Sequence, residues 1–320
     1  MIWSRQSEVQ VMLTKYAAVA TLFLIPTVLV EFLTGNTTFG VFADPISLAI
    51  LVGSYGSGTL LARELARRWQ KGFASILILG IVYGMFNEGM ATGGFFDPHF
   101  YAVVDGGLEN YGRWGGINVV WALRITVFHA VFSIAIPIII VDALFPALEH
   151  HYMLGNRSLI GIIILLIMVT AIQRVVLTFI QPPINPYLFA FIMILMLSLV
   201  FIARIFPSIE NVCSLTTPSN RILFVYSLIC SSLLIVIMPR FLALIGFPIV
   251  DVLVILCVLL LVSGLLLSLP CLSIRQRVAV AAGAEGPVLA HAIFSANFLP
   301  AAFTLALLIL AWQRSDARIL

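Results

Sequence analysis

At 320 residues, 62% hydrophobic and only 10% charged, the sequence has too little polar surface to clothe a water-soluble globule of its size. Its formal net charge of +3 is scattered over short connections without a basic block, which excludes nucleic acid as a partner. A mean hydropathy of +1.13 instead describes an all-α, polytopic bundle of transmembrane helices, expected to form one integral domain over 1–320 with membrane lipids around it.

A helix needs about 20 apolar residues to cross the hydrocarbon, and nine stretches meet that length, near 12–34, 43–62, 73–95, 117–142, 159–181, 186–206, 221–239, 245–269 and 287–311. The first follows Lys15 and lacks a small-residue cleavage site, so it reads as a retained span. Lys and Arg divide eleven to four in favour of the amino-terminal side. The positive-inside rule then places the amino terminus in the cytoplasm, and nine crossings place the carboxyl terminus outside, in a cell (plasma or inner) membrane.

The second stretch carries Ser54-Tyr55-Gly56-Ser57-Gly58, which lacks the Gly-Lys-Ser/Thr ending of a phosphate loop and reads as a helix-packing surface joined by Gly53, Ser57 and the Gly80/Gly84 pair. On the third, Gly80, Gly84, Asn87, Glu88 and Ala91 recur at helical spacing, so Glu88 is expected to face protein across a close helix contact. The connection from Gly93 to Gly116 is rich in Phe, Tyr and Trp, which suits an interfacial belt or, given its length, a lid. The fourth stretch presents Ala122, Thr126, His129 and Ser133 along one stripe and Arg124 on another face. His150-His151 reads as solvated loop, and the fifth stretch carries Thr170, Gln173, Arg174, Thr178 and Gln181. Cys213, Cys230, Cys257 and Cys271 show no Cys-x-x-Cys spacing, so neither a disulfide framework nor a metal site is expected, and no cofactor motif occurs. His291-Ala-Ile-Phe-Ser echoes His129-Ala-Val-Phe-Ser, but the expected end of its span keeps His291 away from Glu88 and His129.

An ionisable group in hydrocarbon is costly and therefore a functional candidate. At about 1.5 Å of rise per residue, Glu88, Arg124 and Arg174 lie roughly 10 Å below the outer boundary and His129 roughly 15 to 20 Å below it. Glu31 and Asp251 come out nearer that boundary, while Arg63 and Asp142 come out at inner ends within reach of water. A structural reading pairs Glu88 with Arg124 or Arg174 to fix helix register. A functional one opens a cavity in which Glu88 and His129 handle protons while Asn87, Arg124, Gln173 and Arg174 bind substrate.

Tyr55-Gly56-Ser57-Gly58 with Arg63-Glu64, and Tyr83-Gly84 through Asn87-Glu88-Gly89, Thr92, Phe96 and Asp97-Pro98, resemble a family of uncharacterised bacterial multi-spanning membrane proteins over roughly residues 50–145. A carboxylate on one span and a histidine on the next is more remotely similar to the CAAX-protease and bacteriocin-immunity family of glutamic intramembrane proteases. That resemblance implies Glu88 as the water-activating base and His129 as its partner. The sequence departs from that pattern where Asn87 and Thr92 replace a glutamate and an arginine, and where Ser295 follows His291 at the asparagine position. The expected activity is hydrolysis of a membrane-embedded substrate without metal; the rivals are a transporter of a small solute or ion, and a structural subunit with a protein partner.

Overall fold

The computed structural model describes residues 2–105, 108–179, 181, 183–207, 218–235, 247–250, 252–257 and 272–316. Asp251, Cys213 and Cys271 lie outside these; Cys230 and Cys257 are free thiols. The chain is an all-α bundle whose helices begin where turn chemistry dictates. We number them α1 (Ile2–Thr27), α2 (Pro45–Arg68), α3 (Phe73–Met85), α4 (Val119–Leu144), α5 (Asn156–Leu177), α6 (Pro186–Ile205), α7 (Asn220–Ser232), α8 (Pro248–Cys257), α9 (Ile274–Phe294) and α10 (Phe298–Asp316). Asp44 caps α2 by accepting from the Ile46 and Ser47 amides, with Pro45 at the first helical position. The hydroxyl of Ser47 also donates to the Asp44 carboxyl and lowers its pKa. Asn118, Asn185 and Ser219 cap α4, α6 and α7 in the same way, and Ser273 with Gln276 closes a capping box on α9.

Among the described residues, seven helices are long and apolar enough to cross a membrane: α1 to α6 and α10, counting the π-helical ends of α1 and α3. The seventh and eighth apolar stretches are represented by the shorter Asn220–Ile235 and Pro248–Cys257. Helix α4 is the central rod, buried along most of its length, while α5 and α6 expose mostly apolar side chains, as helices facing lipid do.

The ninth stretch is corrected by the structure. Residues 287–311 are not one span but the end of α9 and most of α10, separated by a turn in which Ala296 adopts a φ of 58°. Asn297 secures the turn: its amide donates to the Ala292 carbonyl and its side chain to the Phe32 carbonyl. Helix α9 begins beside Glu149, which pairs with Arg277 at 2.6 Å, and ends near Phe32 and Gly35. Helix α10 then runs back, so that Trp312 stacks under the Arg275 guanidinium at 4.3 Å. The end of α10 therefore lies on the face of the bundle from which α1 starts, and the expected placement of the two ends on opposite faces does not hold. Arg275, Arg277 and Glu285 had lowered the apolarity of 274–286 enough to hide α9 from a hydropathy reading.

That face is closed by buried charge. Arg63 and Asp142 are 0% and 2% exposed, against the expectation that water reaches them. Asp142 receives the Arg63 guanidinium at 2.9 Å and that of Arg67 at 3.0 Å, and Arg63 also donates to the Leu148 and His151 carbonyls. Glu64 accepts the Met153 and Leu154 amides at 2.7 and 3.1 Å. Each buried charge has both an opposite charge or amide partner and further hydrogen bonds, the condition under which burial is tolerated. His150 and His151 are exposed, as expected of solvated loop.

The connection between α3 and α4 is partly buried. Phe95, Phe100, Val103 and Leu108 are buried with Trp121, Met85, Met90, Ile192 and Met196 in a second apolar cluster. The antiparallel pair Arg113–Trp114 and Ile117–Asn118, closed by Gly115 and Gly116 at positive φ, returns the chain to α4. Phe95 and Phe100 pack inward in this cluster, while Tyr101 and Trp114 remain exposed.

Candidate functional site

At the face opposite the Arg63 cluster, α1 to α5, α7 and α9 surround a cavity of about 680 Å³. Its mouth is bordered by Thr34 to Thr37, after α1, and by Phe100 to Ala102 in the α3–α4 connection. Tyr101 and Asn36 hydrogen-bond across it at 3.3 Å.

Three titratable residues reach the cavity from π-helical segments. Val28–Phe32, continuing α1, carries Glu31; Phe86–Ala91, continuing α3, carries Glu88; His129–Ala135, inside α4, begins with His129. A π turn adds a residue to a helical turn and re-aims the side chains that follow, which is why such segments gather at functional sites. Gly80 and Gly84 set the distance between two of them. A β-carbon on Gly84 would strike the Thr126 backbone and the His129 side chain, and one on Gly80 would strike the Ala130 backbone. The glycines thus let α3 lie against α4, as their spacing predicts. They do not meet Gly53 or Ser57: Gly53 lies against Val169 of α5 and Gly58 against the Tyr83 ring.

The result is a Glu–His contact. Glu88 Oε1 lies 3.3 Å from His129 Nε2, and the other ring nitrogen, Nδ1, lies 2.8 Å from Ser133 Oγ. If Ser133 donates to Nδ1, the proton of the neutral ring sits on Nε2 and is donated to Glu88. The Thr92 hydroxyl stands 3.3 Å from Glu88 Oε2. Tyr55, Tyr83 and Phe128 wall the imidazole, with ring centroids 5.8 to 5.9 Å from it. Glu88 is 7% exposed and His129 1%.

Glu31 joins the cavity, although reckoning from span length set it near the boundary. It accepts the Tyr55 hydroxyl at 2.5 Å, the Asn36 amide at 2.8 Å and the Thr37 hydroxyl at 2.5 Å. Asn87 accepts from Ser54 at 3.3 Å and lines the same space. Tyr55 and Ser54 stood in the glycine-rich run, where their value as packing residues masked their polar ends.

The arginines depart from the expected ion pairs. Arg124 lines the cavity with its guanidinium 5.8 Å over the Trp121 ring, and has no hydrogen bond or ion pair among the described residues. Gln173 also lines the cavity. Arg174 does not: it donates to Gln181 at 3.0 Å, beside Gly93. Glu88 therefore takes its partner, His129, from the polar stripe on α4, not from a guanidinium. His291 is a second correction, because the true end of α9 brings it to the cavity wall. Its Nε2 lies 3.5 Å from Ser295 Oγ, the same four-residue His–Ser relation that His129 makes with Ser133, on a helix running the other way.

Residues 20–313 match the profile of an uncharacterized membrane protein family. No curated protein and no solved structure matches the chain. None of these comparisons supports the likeness to the glutamic intramembrane proteases.

Proposed function

We propose that this chain, which belongs to that uncharacterized membrane protein family, hydrolyses a membrane-embedded substrate, with Glu88 as general base and His129 as its proton partner. The observation that carries the reading is the 3.3 Å Glu88–His129 contact in the wall of a cavity open at one face. Glu88 takes a proton from water, and the hydroxide adds to the substrate carbonyl carbon. Arg124 orients the substrate, and the proton passes from Glu88 to the leaving group as the carbonyl re-forms. Ser133 holds the imidazole in the tautomer that donates to Glu88, and Asn87 and Gln173 offer further polar contacts to substrate. The buried Arg63–Asp142 cluster beneath favours a one-sided site over a transport path, which needs access from both faces.

The test is turnover of lipid esters and single-span peptides by the purified chain in liposomes, read by mass spectrometry. Wild type should release product and Glu88→Gln should lose turnover by at least about a hundredfold, the lower end of what a general base contributes, while eluting as wild type does from a sizing column. Undiminished turnover in Glu88→Gln overturns the role.

A further inference from the structure

Arg124 lines the cavity, and its guanidinium, a group with five N–H donors, makes no hydrogen bond or ion pair among the described residues. The two carboxylates in the same wall are committed elsewhere: Glu31 to Tyr55, Asn36 and Thr37, and Glu88 to His129 and Thr92. Arg124 is half-buried, and a cation on a cavity wall with no opposite charge beside it favours an anionic ligand. The guanidinium carbon lies 5.8 Å over the Trp121 ring, a cation–π contact that uses none of its N–H donors. Around it the cavity is walled by Val30, Leu51, Ile125, Leu234, Ile235 and Val288. Its volume of about 680 Å³ holds a ligand of several hundred daltons, within the usual range of small-molecule sites.

We propose that the cavity binds an anionic amphiphile, a phosphate or carboxylate group on an apolar body, with the anion on Arg124 and the body against the aliphatic wall. A planar guanidinium pairs two of its N–H groups with two oxygens of such an anion. The donors already on Glu31 and Glu88 compensate those carboxylates locally, so the ligand's charge sorts to Arg124 and away from them. This deepens the hydrolase reading by naming the substrate class, and rests on it only for the ligand's being a substrate.

Binding is tested separately from turnover, on the full chain in maltoside micelles carrying Glu88→Gln, by calorimetric titration with dodecyl phosphate, dodecanol and inorganic phosphate. Dodecyl phosphate should bind about tenfold or more tighter than dodecanol, the effect of a charge-assisted hydrogen bond. Arg124→Gln should erase that preference and Arg124→Lys should keep part of it, each variant eluting as a folded monodisperse species. Equal affinity for dodecyl phosphate and dodecanol, or a preference that survives Arg124→Gln, overturns the anion site and leaves the hydrolase reading standing. Inorganic phosphate binding as tightly as dodecyl phosphate overturns the amphiphile and assigns a free anion instead. Turnover retained in Glu88→Gln overturns the hydrolase alone.

Discussion

Glu285 shows what a carboxyl group without company does to this bundle. It is fully buried on α9, and neither of its carboxyl oxygens has a hydrogen-bond partner among the described residues. Glu31, Glu64 and Glu88, by contrast, each engage two or more donors. A buried polar group without a hydrogen bond costs about 1–3 kcal/mol on the scale of protein mutants. Replacing Glu285 with Leu should therefore raise stability by about that amount, seen as a higher midpoint of thermal unfolding in detergent. An unchanged or lower midpoint would mean that the carboxyl is satisfied in the native protein. The residue scale was partly legible beforehand. An acid in an apolar stretch marks itself, and Glu88 and His129 were legible as candidates for one site. Their contact was not, because the expected depths put Arg124 and Arg174 level with Glu88 and His129 deeper, and the π turns that bring His129 to Glu88 leave no mark on that reckoning.

At the scale of the element, the contact between α3 and α4 is the part that places the chemistry. Gly84 meets backbone atoms of Thr126, which cannot swing aside as a side-chain tip can. Gly84→Val should lower stability by about 1–3 kcal/mol, the usual cost of overpacking. It should also lower turnover beyond the fraction unfolded, because pushing α3 outward lengthens the Glu88–His129 distance. Turnover that tracks only the folded fraction would show that the spacing of these helices does not matter to the site. Small residues at helical spacing announced a close helix contact in the sequence, but pointed it at Gly53 and Ser57 of α2, whereas Gly80 and Gly84 meet Ala130 and Thr126 of α4. The π segments at Glu31, Glu88 and His129 were not announced, since a one-residue widening of a turn leaves no mark on hydropathy. The break at Ser295–Asn297 was missed for a related reason: Asn297 is a polar residue between two apolar runs, and its grip on the Phe32 carbonyl is a tertiary contact.

The whole molecule is a membrane bundle with buried charge at one face and a cavity toward the other. Arg63, Arg67 and Arg277 with Asp142 and Glu149 close the first, and the cavity holding Glu31, Glu88, Arg124 and His129 opens at the second. Composition alone made the helical membrane class plain, because no soluble arrangement hides so much apolar surface. The relation between the two ends of the chain depended on one turn in α9–α10, and a hydropathy window averages over such a turn. The most direct measurement is labelling of Ser54→Cys, on a chain whose native cysteines are serine, by a membrane-impermeant thiol reagent applied to either side of sealed, oriented vesicles. Ser54 lines the cavity beside Asn87 and is itself buried. Labelling from one side only is the predicted result; labelling from both sides, or from neither, contradicts a one-sided site.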